Sequence, residues 1–172
     1  LSTDNRQVDS DGLSEMLLGW LERYPIVAIE DPVSEDDHDA MAKFTQAAGN
    51  KVEVIADDFI CTSVERINNA VASGGCNTAL IKPNQVGTLT ETRAALDAAR
   101  AAGWESIVSA RSGETEDTTI VHLAIGWGVK QLKVGSFSRS ERMAKWNEGL
   151  RIAETLQQGG GRLAPRDSFP WD

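Results

Sequence analysis

The amino-acid sequence predicts an α/β fold built around a parallel sheet, and three observations lead to this prediction. Five short runs rich in β-branched residues begin at positions 26, 52, 78, 106 and 131, so that they recur at nearly constant intervals. Between them lie stretches with apolar residues at three- and four-residue spacing, which is typical of helices. Turn-forming glycine, proline and asparagine end most of these stretches. Strands and helices that alternate in this way indicate βαβ units.

In the first half of the chain, the residues that end helices mark the boundaries of the predicted elements. The opening helix ends before Pro25, the next helix ends at Gly49-Asn50, and the third ends at Gly74-Gly75. These residues cannot continue a helix or do so at a cost, so each predicts a boundary. In chain order the predicted elements are helix 13–23, strand 26–29, helix 37–48, strand 52–55, helix 63–72 and strand 78–81.

The second half contains the clearest helical pattern, in which Ala94, Leu96 and Ala98 alternate with charged residues. Such a pattern predicts a helix with one buried and one exposed face. Gly103 and a glycine at 126 or 128 supply stop signals. The predicted elements are helix 90–102, strand 106–109, helix 118–127, strand 131–134 and helix 141–156.

The residues that follow the strands favour a barrel over an open sheet. Charged residues stand at or just beyond the ends of all five predicted strands. They converge on one point only if the sheet closes on itself, and in barrels that point is the carboxyl-terminal mouth. An open doubly wound sheet would instead need a glycine-rich phosphate loop, and the sequence has no such motif. We therefore predict a (β/α)8 TIM-type barrel, although the chain supplies only five of its eight strands.

Composition narrows the classes of function. The 172 residues are 41% hydrophobic and 25% charged, which predicts a folded domain. A net charge of -9 argues against direct binding of nucleic acid. No apolar stretch is long enough for a membrane span. Cys61 and Cys76 lack a paired framework and are expected to be reduced thiols of a cytoplasmic protein.

Two carboxylates, Glu30 and Asp57, are candidates for binding a divalent cation. They follow adjacent strands, and Mg2+ typically takes one or two carboxylates together with substrate and water. The alternative is that each caps the helix after its strand. Asp31 and Asp58 stand beside them as better candidates for capping, or for holding the metal ligands in place.

Two lysines and one loop complete the set of charged and polar residues that are predicted to lie at the carboxyl-terminal mouth of the barrel. Lys82 follows an apolar strand, where burial and neighbouring charges could make it a general base. The alternative is a structural ion pair with Glu30 or Asp57, and Lys133 has the same two options. Arg111 and Ser112, before Gly113, supply a planar cation and a hydroxyl suited to a phosphate or carboxylate. Helix capping and a surface arginine are the alternatives for this loop.

The sequence contains two histidines, which are further candidate ligands. His38 and His122 lie on predicted helices, away from the ends of the strands. They are therefore predicted to be surface or core residues rather than part of a site.

These segments resemble the enolase (phosphopyruvate hydratase) family. The motifs follow one another in family order and with family-like spacing, and the longest has a dozen matching positions. The matching segments are residues 24–32, 35–37, 57–58, 81–92, 111–118, 133–136 and 138–142. The resemblance implies an α/β fold, the (β/α)8 TIM-type barrel of the enolase superfamily, present as its C-terminal part of about five βα units.

The resemblance also implies an activity, the Mg2+-dependent and reversible dehydration of 2-phosphoglycerate to phosphoenolpyruvate in glycolysis. By this resemblance Glu30 and Asp57 match two of three carboxylates that hold the first Mg2+, and Lys82 matches the base that removes the C2 proton. Lys133 matches a second lysine that contacts the substrate carboxylate. Arg111 and Ser112 match ligands of the phosphate. Enolase-superfamily sites pair a lysine or histidine base with Mg2+.

Two departures from the family pattern open alternatives. The family carries histidine immediately before Arg111, where this chain has Ala110. Because of this alanine, two alternative functions stay open. One is an enzyme that acts on another 2-hydroxy acid, and the other is a non-catalytic binding module. The third metal carboxylate belongs to an earlier barrel strand, so the 172 residues alone are expected to be inactive.

The expected domain organisation is a barrel portion over residues 1–158 and a flexible tail over residues 159–172. By resemblance to the family, the full-length protein is expected to be a homo-oligomer, either a dimer or an octamer. The small-molecule substrate is its expected partner. The expected location is the cytoplasm, with the cell surface or secretion as further locations that the family implies.

Overall fold

The secondary structure was obtained from a computed structural model, which describes residues 7–159, 162, 164 and 165. Within these residues five strands alternate with helices. The strands are β1 (Ala28–Glu30), β2 (Glu53–Ala56), β3 (Thr78–Ile81), β4 (Glu105–Ser109) and β5 (Gln131–Lys133). The helices are α1 (Ser10–Arg23), α2 (His38–Ala48), α3 (Val64–Ser73), α4 (Pro83–Val86), α5 (Leu89–Ala101), α6 (Thr119–Gly126) and α7 (Ser140–Gln158).

The five strands form one parallel sheet in the order β1-β2-β3-β4-β5. Side chains on the last strand cross the concave side of this sheet to reach the first two strands. Lys133 forms an ion pair with Glu30, and Gln131 Nε2 donates to Glu53 Oε1 at 2.7 Å. The sheet is therefore curled into a half-barrel, and the predicted α/β barrel architecture is confirmed for its five described strands.

The element boundaries differ from the predicted ones for local reasons. Helix α1 begins three residues earlier than expected because the Asp9 side chain caps it by accepting the N–H of Gly12. Strand β1 begins later, at Ala28, because the N–H of Ile26 bonds to the carbonyl of Tyr24 instead of to a neighbouring strand. Helix α4 was not predicted. Its four residues are too few to show a helical repeat, and they start at Pro83 in the first turn.

The hydrophobic core lies in two layers because successive side chains of a strand point to opposite faces. The outer layer, between the sheet and its helices, includes Val54, Ala56 and Ile81. The inner layer lies on the concave side and consists of the buried residues Ile55, Leu80 and Ile107, with Ala28 packed against them. Two residues further along three of these strands stand Glu30, Asp57 and Lys82. The same alternation therefore directs their side chains to the concave side at the carboxyl end.

The helices are held by the caps that their sequences encode. The Ser63 hydroxyl accepts the N–H of Arg66 at the start of α3, and Gly74 ends that helix with a φ of 71°. At the start of α5, the Thr88 hydroxyl caps the helix by accepting the N–H of Glu91, and it donates to Glu91 Oε2.

The remaining predictions concern membranes, thiols and the tail. No helix in the described part of the chain is both long and apolar enough to cross a membrane. Both cysteines are free thiols, and burial raises the pKa of Cys76. The predicted tail over residues 159–172 lies largely outside the described residues, so its flexibility stays a prediction.

Candidate active site

A buried ion pair lies at the carboxyl ends of the two central strands β2 and β3. Lys82 Nζ donates to Asp57 Oδ2 at 2.5 Å. The two residues are 8% and 7% exposed, respectively. A charge in such a place is stable only when it is paired and hydrogen-bonded, so each residue supports the charged form of the other. Of the two ion-pair partners considered for Lys82, the structure selects Asp57.

Two polar residues that the sequence analysis did not assign hold this pair in place. The Thr62 hydroxyl is fully buried, accepts the backbone N–H of Lys82 at 3.0 Å and donates to Gln85 Oε1 at 2.7 Å. Gln85 Nε2 lies 3.4 Å from Asp57 Oδ1, the oxygen that Lys82 does not use. Gln85 is placed by the short helix α4, which directly follows Lys82. The only sequence signal for this role was the position of Gln85, three residues after the lysine.

The Asp31 side chain holds the backbone of the segment that carries Asp57. Its two carboxylate oxygens accept the N–H groups of Asp57 and Asp58 at 3.0 and 2.9 Å. Burial raises the pKa of the Asp31 carboxyl and outweighs the opposing effect of these two hydrogen bonds. Asp31 also has a φ of 40°, a conformation that costs energy for a residue other than glycine.

The capping alternatives for the acidic residues are wrong. Helix α2 is capped by Asp37 and helix α3 by Ser63. Glu30, Asp31, Asp57 and Asp58 therefore cap neither of the helices that follow their strands. The reason is distance along the chain, since each strand is followed by a loop of several residues that carries its own cap. Of the two roles considered for Asp31, holding the neighbouring segment in place is the one that the hydrogen bonds support.

A second ion pair joins the two edge strands. Lys133 at the end of β5 bonds to Glu30 Oε2 at the end of β1. Their side chains are 45% and 32% exposed, so this pair is accessible to water and to a ligand. Lys133 also contributes its backbone carbonyl, which accepts the N–H of Ala110 at 2.9 Å.

The loop after β4 contributes the remaining two predicted residues. Arg111 and Ser112 are both exposed at the carboxyl end of the sheet. The backbone N–H of Arg111 donates to Glu114 Oε1 at 2.9 Å, which folds the loop back on itself. Further along, the Asp117 carboxylate accepts the N–H of Thr119 at the start of α6, and this hydrogen bond is the main cause of its lowered pKa.

The two histidines lie away from this arrangement, in agreement with the prediction. His38 is exposed and packs its ring on Phe59, with a centroid distance of 4.8 Å. His122 is exposed on α6, and its Nε2 lies 3.0 Å from a carboxylate oxygen of Glu148 on α7.

Hard oxygen donors are the groups in this site that could hold a metal ion. Glu30 and Asp57 lie at the same end of adjacent strands, and their carboxylates suit Mg2+. Each of them is neutralised by a lysine, which is the charge balance that a bound cation would otherwise supply. The described residues contain no group of three or more histidine, cysteine, aspartate or glutamate side chains that could hold a metal by themselves. The donors fit Mg2+ only if other ligands, such as water and substrate, fill the remaining positions.

A comparison with protein-family models identifies a match over nearly the whole chain. Residues 1–164 match the family described as enolase, C-terminal TIM barrel domain. The match includes all five strands, the seven described helices and every residue of the candidate site.

Proposed function

The chain belongs to the enolase C-terminal TIM barrel domain family, and from this premise we propose that it takes part in the dehydration of 2-phosphoglycerate to phosphoenolpyruvate. The observation that carries the proposal is the buried pair of Lys82 and Asp57 beside the exposed pair of Lys133 and Glu30. A base in a dry environment next to an accessible cation suits the removal of a proton from a carbon next to a carboxylate.

In this proposal Lys82 is the general base. Lys82 is an ammonium ion while it is paired with Asp57, so it must first release that proton to water. Its neutral amine then takes the proton from C2 of the substrate, and the electron pair of the C–H bond moves toward the substrate carboxylate. The C3 hydroxyl would then leave as water after it receives a proton from an acid outside this chain, and the carbon–carbon double bond forms. Lys82 is left as an ammonium ion, which Asp57 stabilises at 2.5 Å. Thr62 and Gln85 hold the two groups at this separation and keep the amine directed toward the concave side.

Lys133, Arg111 and Ser112 are proposed to bind the charged groups of the substrate. The exposed ammonium of Lys133 would pair with the substrate carboxylate, and the guanidinium of Arg111 with the phosphate. Glu30 neutralises Lys133 when no substrate is bound. The hydroxyl of Ser112 would add a hydrogen bond to a phosphate oxygen.

Mg2+ would be held by Glu30 and Asp57, with water, substrate and ligands from outside this chain completing the set. When bound, the ion supplies positive charge that offsets the negative charge developing on the substrate carboxylate. Both lysines would then have to share or give up their carboxylate partners. The cytoplasmic location and the homo-oligomeric state stay predictions that accompany this role.

The test is turnover of 2-phosphoglycerate by the protein that carries the complete barrel, followed by the ultraviolet absorbance of the enol product. We expect Mg2+-dependent turnover that falls by a factor of about 10²–10⁴ in Lys82→Ala, because a general base is lost. Asn50→Ala, an exposed change after α2 and away from the sheet's carboxyl end, is the matched control and should keep full activity. Full activity in Lys82→Ala would overturn the assignment of the base.

Ala110 provides a second arm of the same test. Ala110→His restores the residue that the family carries there. A large gain in turnover is expected if the chain is an enolase that works below the rate of its relatives. No turnover of 2-phosphoglycerate in either form would overturn the proposed substrate.

A further inference from the structure

A lysine in the last described helix is buried. Lys145 lies near the middle of α7 and is 1% exposed, and it is the one buried residue recorded for that helix in the described part of the chain. Burying an ammonium group costs several kcal/mol unless strong partners replace water. The partners of Lys145 therefore indicate what the burial achieves.

All the recorded partners of Lys145 belong to the loop after β4. Its Nζ donates to the backbone carbonyl of Thr115 at 2.5 Å and to Glu114 Oε2 at 3.3 Å. The other oxygen of the same carboxylate, Oε1, accepts the backbone N–H of Arg111 at 2.9 Å. Glu114 thus has one oxygen on the last helix and the other on the residue proposed to bind phosphate. An unbroken chain of contacts runs from α7 through Lys145 and Glu114 to Arg111.

The residues of this loop that are proposed to bind phosphate have few other contacts that fix their orientation. Arg111, Ser112 and Gly113 are exposed, so packing does not fix their orientation. The loop is instead anchored at three backbone points, since Ala110 bonds to the carbonyl of Lys133, Arg111 to Glu114, and Thr115 to Lys145. Of these anchors, the one at Lys145 comes from an element outside the ring of strand ends.

We infer that Lys145 is a positioning residue that sets the loop carrying Arg111 and Ser112 for binding the substrate phosphate. The identity of the ligand in this inference rests on the proposed function. The structural link between Lys145 and the loop rests only on the observed contacts. Lys145 acts through Glu114 and Thr115 and does not touch the substrate. Loss of the link should therefore weaken binding more than it slows the chemical step, because Lys82 follows β3 and is held by Thr62 and Asp57.

The experiment uses the protein that carries the complete barrel and two single variants. Lys145→Met removes the charge with little change in length. Glu114→Gln keeps an oxygen for the N–H of Arg111 but presents Lys145 with an amide instead of a charge. Glu148→Gln is the matched control, because Glu148 connects α7 to His122 of α6 and has no recorded contact with the loop. Two measurements are made on each, hydrogen exchange of the peptide covering residues 110–118, and KM and kcat for 2-phosphoglycerate.

We expect faster exchange in the loop and a KM raised about tenfold or more in both loop variants, with kcat changed less. A misplacement of about 1 Å at a binding group can cost 10²-fold in rate. The double variant should be no worse than the worse single one, because the two residues act in one chain of contacts. The Glu148→Gln control should leave both the exchange and the KM unchanged.

Unchanged loop exchange in a folded Lys145→Met protein would overturn the inference. If that variant does not fold, Glu114→Gln decides by the same criteria. A fall in kcat with unchanged KM in either loop variant would also overturn it. Faster loop exchange in a protein whose wild type does not turn over 2-phosphoglycerate would support the positioning link and overturn the proposed function.

Discussion

The two ion pairs at the carboxyl end of the sheet have the same chemistry and different surroundings. Lys82 and Asp57 follow the central strands β3 and β2, and their side chains are 11% and 10% exposed. Lys133 and Glu30 end the edge strands β5 and β1, and theirs are 45% and 32% exposed. Within the five described strands, β2 and β3 each have a neighbour on both sides, whereas β1 and β5 each have one. Among these strands, the charges that follow the inner two retain less water than the charges that end the outer two.

This difference fits the different tasks proposed for the two pairs. In a dry site a charge interaction is stronger and a lost partner is costly, which suits a group that moves a proton. An exposed pair is worth little and exchanges readily, which suits a group that releases its partner to a charged substrate. The comparison predicts that the buried pair contributes to both stability and catalysis, and that the exposed pair contributes almost entirely to function.

The largest effect is expected from Lys82→Met. It leaves the Asp57 carboxylate buried with Gln85 Nε2 at 3.4 Å as its remaining recorded side-chain donor. Removing one partner of a buried pair typically costs about 3–5 kcal/mol in the free energy of unfolding. Urea denaturation of the protein that carries the complete barrel measures this change. The double variant Lys82→Met with Asp57→Asn removes both charges and should recover much of the loss. A single-variant loss below about 1 kcal/mol would mean that Asp57 is hydrated as readily as Glu30.

A change in stability of intermediate size is expected at Glu53, the first residue of β2. This residue tests whether burying a carboxyl group on an inner strand is also costly at the amino-terminal end of the sheet. Glu53 is 1% exposed, and its Oε2 has no hydrogen-bond partner within the described residues. Burial raises the pKa of Glu53 above its usual value of 4.5, and the hydrogen bond from Gln131 opposes this only in part. The folded state therefore holds the proton more tightly than the unfolded state. Stability should fall as the pH rises from about 4.5 through the folded-state pKa.

Glu53→Gln removes this dependence. We expect the variant to be more stable than the wild type by about 1 kcal/mol at pH 8 and nearly equal to it at pH 4. Glu15→Gln, on the exposed side of α1, is the control and should follow the wild-type pH profile. Thermal unfolding across this range measures the difference. Wild-type stability that rises with pH over this interval, with no change in slope for the variant, would contradict the account.

The smallest change in stability is expected from Lys133→Met. An exposed ion pair contributes about 0–1 kcal/mol, and salt screens most of that contribution. The unfolding free energy should therefore change by less than about 1 kcal/mol at low ionic strength, and hardly at all in 1 M salt. The KM for 2-phosphoglycerate should rise sharply in the same variant. A loss of stability as large as that of Lys82→Met would remove the distinction between the central and edge pairs.

Much of the fold could be predicted because its signals are local. Strand 78–81 was located to the residue, and the other four strands within two residues, since β-branched runs between turn residues mark them directly. Parallel pairing followed from the alternation of strands and helices, and the sequential strand order followed from the choice of a barrel over an open sheet. The helix α4 was missed because four residues cannot show a period. The curl that brings β5 to β1 depends on twist accumulated over the whole sheet, which no single segment encodes.

The site was predictable to a lesser extent. The six charged or hydroxyl residues stand at or just beyond strand ends, and this position, together with the resemblance of their segments to the enolase family, identified them as candidates. The choice of Asp57 for Lys82 and of Glu30 for Lys133 depends on which strands face each other across the concave side. Thr62 and Lys145 escaped notice because a threonine in a loop and a lysine in a helix usually face water. Their burial results from tertiary packing.

The sequential strand order has a consequence for how the chain is made. Each strand pairs with the one that precedes it along the chain, so a nascent chain leaving the ribosome can add each unit to a surface already formed. At about 5–20 residues per second, one strand and its helix emerge every few seconds. At each stage the newest strand has one unpaired edge, and such an edge can pair with other chains. The contact between Lys133 and Glu30 joins the first and the fifth described strands, so it can form only after the fifth of them has emerged.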